Sequence, residues 1–193
     1  MADMVATPAR TSGGATRRLV VVLLAGGAVS VALGVYGNVH DPTHEQPYTW
    51  FFSSTIQLKV WFATAALALA VVQVLLGMRL YDKISIPRRV PVWLGDAHRL
   101  TGTLAFVVTL PVAYQCLWAL GFQSTDTRVL VHSLLGCFFY GIFTVKVLSV
   151  RVRGLPGGTL PLAGGLLFVA LVGLWLTSAL WFFTSRPTGL PVY

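Results

Sequence analysis

The chain has 193 residues, of which 55% are hydrophobic and 10% are charged, and its mean hydropathy is +0.75. A soluble domain carries roughly 25% charged residues, so this composition excludes an ordinary water-soluble protein and indicates an integral membrane protein. The net charge of +8 would suit a nucleic-acid partner, but the fourteen basic residues lie in short segments between apolar runs. Basic residues in such segments usually set membrane orientation, so we expect the lipid bilayer as partner and no nucleic acid.

Five apolar stretches reach the roughly 20 residues that a helix needs to cross a bilayer. The sequence therefore predicts an all-α membrane protein, a bundle of five transmembrane helices at about 19–38, 55–78, 100–122, 129–149 and 160–183. Residues 1–17 are predicted to form a disordered cytoplasmic tail, 18–184 the transmembrane domain, and 185–193 an outer tail. In the first helix, Gly26, Ser30 and Gly34 recur at a spacing of four, which predicts close contact with another helix.

The distribution of basic residues predicts the orientation of the bundle. The first tail and the second and fourth connections contain Arg10, Arg17, Arg18, Arg79, Lys83, Arg88, Arg89, Arg99, Arg151 and Arg153, and Lys146 lies just inside the fourth helix on the same side. The other side contains Arg128 and Arg186, together with Lys59 at a helix start. Because positive residues stay in the cytoplasm, the N-terminus is predicted inside and the C-terminus outside, in a multi-pass protein of the cell membrane.

Two of the four histidines begin the same pattern: a histidine, three residues, a glycine, three residues and an aromatic residue. The first copy is His98, Gly102 and Phe106, with His98 at the opening of the third helix. The second is His132, Gly136 and Tyr140, with His132 one turn into the fourth helix. Residues four apart share a helix face, so such a glycine removes the side chain that would collide with a flat macrocycle held by the histidine. Imidazole is a common axial ligand of haem iron, so the pattern predicts binding of haem b. The alternative is a histidine that only contacts a neighbouring helix.

The two histidines cannot serve one haem, because the third and fourth helices run in opposite directions. At 1.5 Å per residue, they lie roughly 25 Å apart in depth. On the outer side, the second iron ligand opposite His132 could be His40, His44 or Gln115. On the inner side, the second ligand opposite His98 could be Met78. We expect His132 to be the principal ligand, since the outer side offers more partners.

The loop before the second helix contains a second group of potential ligands. His40, Asp41, His44 and Glu45 lie within six residues. Two imidazoles and two carboxylates could hold zinc, copper or iron. The alternative is a loop whose polar side chains are simply solvated.

The segment His132-Ser133-Leu134-Leu135-Gly136 resembles the ascorbate-dependent transmembrane cytochrome b family, which carries a similar His-Ser-x-x-Gly near the end of a core helix. The resemblance is confined to this part of the fourth helix. It implies that His132 is a haem b ligand, and it leaves His98 as a candidate for a second haem. That family uses four helix-borne histidines in two pairs, whereas the predicted second and fifth helices here contain none.

Over nearly its whole length, the chain resembles a family of uncharacterised actinobacterial multi-pass membrane proteins. The likeness lies in Ala97–Gln123 and Thr127–Arg151, including Pro111-Val112-Ala113-Tyr114 and Val145-Lys146-Val147-Leu148. That family has no assigned activity, so this resemblance implies a membrane location and no reaction.

These observations predict a haem b-binding membrane protein that transfers electrons, as a partner of a larger redox or respiratory complex. One alternative is an accessory or structural membrane subunit without a cofactor. The other is a metal-binding protein of the outer face that uses His40, His44, Asp41 and Glu45. None of the three assigns an enzymatic reaction to the chain.

Overall fold

The computed structural model describes residues 12–46, 48–86 and 89–185. Within these ranges, five helices are long and apolar enough to cross a membrane. We number them α1 to α5, and their bounds are Ser12–Val39, Thr55–Leu80, Leu94–Leu120, Thr127–Arg151 and Thr159–Ser185. Two segments are π-helical, Gln115–Leu120 at the end of α3 and Leu176–Leu180 near the end of α5. The predicted all-α bundle of five helices is confirmed.

The helix bounds differ from the predicted ones by more than two residues at two places. α1 begins at Ser12, so residues 12–17 of the predicted tail are helical, while 1–11 and the predicted outer tail from 186 onward lie outside the described residues. α3 begins at Leu94 rather than near residue 100, so His98 lies inside the helix and not at its opening. Hydropathy marks only the part of a helix that sits in hydrocarbon, and both helices continue past it.

Local chemistry accounts for the starts of α2 and α4 and for the end of α3. The Ser54 hydroxyl caps α2 by accepting from the Gln57 amide at 3.4 Å, and the Asp126 carboxylate caps α4 by accepting from the Val129 amide at 2.9 Å. Gly121 follows α3 with a φ of 71°, in the left-handed region that favours glycine. A Cβ on Gly121 would lie 2.8 Å from the Gly37 carbonyl oxygen, so the turn also needs a glycine for space.

The five helices pack in a ring around a shared interior. α4 packs between α1 and α5, α2 packs between α5 and α3, and α1 meets the π-helical end of α3. The contact of α1 with α4 is close, because a Cβ on Gly26 would lie 2.7 Å from the Gly141 carbonyl oxygen, and Ser30 touches Gly141. This confirms the helix contact predicted from the small-residue spacing.

The two ends of the bundle differ. We call the end formed by residues 37–55, 120–128 and 176–185 the long-loop end, and the opposite one the basic end; charge predicts that the long-loop end faces outward. In the middle of the bundle the Phe106 and Phe143 rings stack at 3.8 Å, and the Tyr140 hydroxyl donates to Thr109 Oγ1 at 3.0 Å. These contacts join α3 to α4 and leave open space between them on the long-loop side.

Candidate functional site

A cavity of about 310 Å³ lies between the helices in the long-loop half of the bundle. All five helices contribute to its wall, and most of the lining side chains are apolar. One face of α4 runs along it and exposes four residues at intervals of four: Arg128, His132, Gly136 and Tyr140. Residues four apart lie on one helix face, so this face presents to the cavity a guanidinium, an imidazole, a glycine without a side chain and a phenol, in that order.

The contacts of His132 and Thr177 favour one tautomer of the imidazole ring. His132 Nδ1 lies 2.9 Å from the Oγ1 atom of Thr177 on α5. The Thr177 hydroxyl lies 2.7 Å from the Gly173 carbonyl and 3.2 Å from the Leu174 carbonyl, so two backbone acceptors can take its only proton. A hydroxyl that donates to either carbonyl accepts from Nδ1–H of His132, which leaves the lone pair on Nε2. A ligating histidine is commonly fixed in this way by a partner on its other nitrogen.

Gly136 faces open space. No atom outside its own helix backbone and its chain neighbours lies within 4 Å of a Cβ built at this position, and the residue lines the cavity. The clearance that the sequence predicts beside His132 is therefore present. Across the interior, Cys116 of the π-helical segment of α3 also lines the cavity.

Two cations line the long-loop end of the cavity, which we call its mouth. Lys59 lies in the second turn of α2, and Arg128 is the second residue of α4. Arg128 Nη1 donates to the Thr177 carbonyl at 2.8 Å, and its guanidinium carbon lies 4.2 Å from the centroid of the Trp181 ring. Among the described residues that line the cavity there is no Asp or Glu. The mouth is therefore positively charged.

The motif that begins at His98 has different surroundings. A Cβ on Gly102 would lie 2.9 Å from Gln73 Oε1, so the side chain of Gln73, on α2, fills the space beside this glycine. Gln73 Nε2 donates to the His98 carbonyl at 2.6 Å and also to the Thr101 hydroxyl. Met78, the predicted partner of His98, is 39% exposed at the end of α2. The space that a macrocycle would need at this motif is taken by Gln73.

The two histidines of the long loop are placed away from the cavity wall. His40 Nε2 donates to the Trp118 carbonyl at 3.2 Å. Its ring stacks on Tyr36, with centroids 5.1 Å apart, and contacts the Trp118 ring at a tilted angle, with centroids 4.6 Å apart. His44 is exposed, and its backbone amide donates to the Ala119 carbonyl. Neither histidine is among the residues that line the cavity. Over the described ranges, no group of three or more His, Cys, Asp and Glu side chains could hold a metal ion.

The long loop is anchored to α3 by two reciprocal hydrogen bonds. Gln115, a fully buried residue and another predicted partner of His132, donates from Nε2 to the Tyr48 carbonyl at 2.8 Å. The Tyr48 hydroxyl in turn donates to the Pro111 carbonyl at 2.8 Å. Burial, and then the neighbouring Tyr114, raise the pKa of Tyr48, so its phenol stays protonated as a donor. Gln115 thus holds the loop.

Sequence reasoning missed three residues of this site. Arg128 could have been found, because it lies four residues before His132 in the same pattern that gives Gly136 and Tyr140. Thr177 and Lys59 could not, because nothing local to α5 or α2 indicates which helix face meets His132 or the cavity.

The model of the Family of unknown function (DUF6529) matches residues 19–190 of the chain, so the chain belongs to that family. No curated protein matches the chain, and no solved structure does.

Proposed function

We propose that this member of the DUF6529 family is a membrane protein that binds haem b in the long-loop cavity, with His132 as the iron ligand. The observation that carries the proposal is the position of His132 on the cavity wall with its Nδ1 atom 2.9 Å from Thr177 Oγ1. The lone pair on Nε2 is then available to iron, as in other protein sites where a second partner fixes the ligating imidazole.

The residues around His132 fit a flat, largely apolar macrocycle with acidic side chains. Gly136, one helical turn deeper, has open space where a side chain would otherwise project. Apolar residues from several helices form most of the wall, and the mouth carries Lys59 and Arg128. A pocket for a cofactor is usually of this kind, mostly apolar with a few placed polar groups.

Haem b, when bound, supplies one-electron redox chemistry at its iron. The chain's own part is to hold and orient the group: His132 ligates, Thr177 fixes the imidazole, and Gly136 leaves room. His40 and His44 lie off the cavity wall, so the proposal includes no second ligand from the long loop. His98 is left out too, because Gln73 fills the space beside Gly102.

We place the protein in the cell membrane, with the cavity toward the outside, and assign it electron transfer within a larger redox complex. The charge asymmetry between its two ends supports the orientation. The likeness of His132-Ser133-Leu134-Leu135-Gly136 to the ascorbate-dependent transmembrane cytochrome b family, and the actinobacterial likeness of the whole chain, are in keeping with this assignment.

A cofactor-free accessory subunit is the second candidate. The His132–Thr177 hydrogen bond joins α4 to α5, and a contact of this kind stabilises a bundle without any ligand. This candidate predicts a colourless protein. A metal site formed by His40, His44, Asp41 and Glu45 receives no support from the described loop, because His40 Nε2 already donates to Trp118.

The test is a visible spectrum of the protein purified in detergent after expression with ample haem supply. We expect a Soret band that sharpens on reduction with dithionite, with one haem per chain by the pyridine haemochrome assay. The variant His132→Gly should lose the band and regain it when free imidazole is added, because imidazole replaces the missing ligand. A colourless wild type would contradict the proposal and favour the accessory subunit.

A further inference from the structure

Building on the proposed haem site, we infer that Lys59 and Arg128 form a carboxylate-binding subsite at the mouth of the cavity. The subsite takes the propionate groups of the tetrapyrrole and so orients their edge toward the long-loop end. Both side chains belong to the cavity wall, one on α2 and the other on α4.

The excess of positive charge on the cavity lining favours an anionic ligand. Two cations line the cavity, and none of the described lining residues is acidic. The nearest carboxylate to Arg128 is that of Asp126, at 3.9 Å, on a side chain that is 55% exposed to solvent. Such an exposed and distant pair contributes little. Placing a cation beside an apolar interior costs desolvation free energy unless an anion compensates its charge. A ligand without a negative charge would not reduce this cost.

The guanidinium of Arg128 is held in place with donors to spare. One N–H bonds the Thr177 carbonyl at 2.8 Å, and the Trp181 ring supports the group from one side at 4.2 Å. Arginine has five N–H donors in a fixed plane, so several remain for a carboxylate, which it can bind with two bonds at once. Lys59 adds three donors from α2, and no hydrogen bond joins it to another described residue.

The position of Arg128 relative to His132 suits the proposed ligand. The two residues are four apart on α4, so Arg128 lies about one turn, or roughly 6 Å, nearer to the mouth. Gly136 lies the same distance on the other side of His132. If His132 ligates a macrocycle, Gly136 would leave room for its apolar part, and Lys59 and Arg128 would be available to its acidic groups.

The test compares two probes on the apo protein in detergent: hemin, and hemin dimethyl ester, whose propionates carry no charge. Wild type should bind hemin at least tenfold more tightly than the ester, since bonds to charged groups are among the stronger hydrogen bonds. Lys59→Gln and Arg128→Gln should each weaken hemin binding about tenfold and leave ester binding unchanged. Arg151→Gln, at the basic end, is the matched control and should behave like wild type.

The possible outcomes distinguish a failure of the carboxylate subsite from a failure of the proposed haem site. Equal binding of hemin and ester by wild type overturns the carboxylate subsite but leaves haem binding intact. Failure of both probes to bind contradicts the haem site itself. Unchanged ester binding by Lys59→Gln and Arg128→Gln also establishes that both variants are folded.

A lipid carboxylate could supply the same charge, and a competition experiment distinguishes this source. Oleate at a concentration equal to that of hemin should leave hemin binding unchanged, because it has no iron for His132. Displacement of hemin by equimolar oleate would overturn the assignment of the subsite to haem propionates.

Discussion

His98, Gly102 and Phe106 have the same spacing as His132, Gly136 and Tyr140, yet the two glycines have opposite surroundings. Beside Gly136 there is open space, whereas beside Gly102 the Gln73 side chain lies 2.9 Å from where a Cβ would be. In one copy the glycine borders a cavity, and in the other it makes room for a polar contact between α2 and α3. A glycine one turn after a histidine therefore does not by itself indicate a ligand site, because the neighbouring helix determines whether the space beside it is open or filled.

The largest effect expected from this difference is on haem binding by Gly136→Leu. The new side chain would project into the space beside His132, so hemin binding should be nearly abolished while the ligand remains. Gly165→Leu is the matched control, because Gly165 is exposed and also faces open space. A hemin titration followed at the Soret band gives both affinities. Wild-type affinity in Gly136→Leu would mean that the macrocycle does not lie along this face of α4.

The next largest effect is on folding, at the contact of α1 with α4. Gly26→Leu should destabilise the bundle by about 3 kcal/mol or prevent folding, because its side chain meets the Gly141 carbonyl, which cannot move without its helix. Its neighbour Gly27 has nothing within 4 Å, so Gly27→Leu should fold like wild type. Thermal unfolding in detergent measures the difference. Equal melting temperatures of the Gly26→Leu and Gly27→Leu variants would show that α1 can move away from α4 without loss of stability.

A smaller loss of stability is expected at the other motif. Gly102→Ala brings a Cβ against Gln73, a flexible side chain that can withdraw, so we expect a cost of about 1–2 kcal/mol. In a Gln73→Ala background the same change should cost much less, since the obstructing side chain is gone. A double-mutant cycle of unfolding free energies measures this coupling. An additive result would mean that Gln73 does not fill the space beside Gly102.

The least disruptive experiment asks which side each motif faces. With Cys116 and Cys137 replaced by alanine, single cysteines at Thr43 and Ser85 mark the long-loop end and the basic end. In intact cells, an impermeant maleimide should label Thr43→Cys and spare Ser85→Cys, because basic residues stay in the cytoplasm. The reverse pattern would place the cavity on the cytoplasmic side and leave the comparison of the two motifs unchanged.

The architecture could be predicted from sequence because hydropathy and small-residue spacing are local signals. Five apolar runs give five helices, and Gly26, Ser30 and Gly34 indicate the contact face of α1. The helix ends were less predictable: α1 starts at Ser12 because helices continue beyond the apolar run.

The site could be predicted only as far as it lies on one helix. His132 and Gly136 were found from their spacing on α4, but the role of Thr177 depends on which face of α5 meets α4, and the role of Gln73 on how α2 meets α3. Predicting the partners of His132 also requires knowing which helix faces meet in the bundle. Gln115 is a candidate because of its depth, and His40 because it lies in the outer loop. Each donates a hydrogen bond elsewhere, to the Tyr48 and Trp118 carbonyls respectively.

The most direct test of the difference between the two motifs is the haem content of His132→Ala and His98→Ala, purified in parallel with wild type. We expect His132→Ala to contain no haem, because it removes the imidazole held by Thr177 at the cavity wall. His98→Ala should keep one haem per chain with an unchanged Soret band, because Gln73 fills the space beside Gly102. Haem lost from His98→Ala and retained by His132→Ala would contradict the assignment of the site to the long-loop cavity.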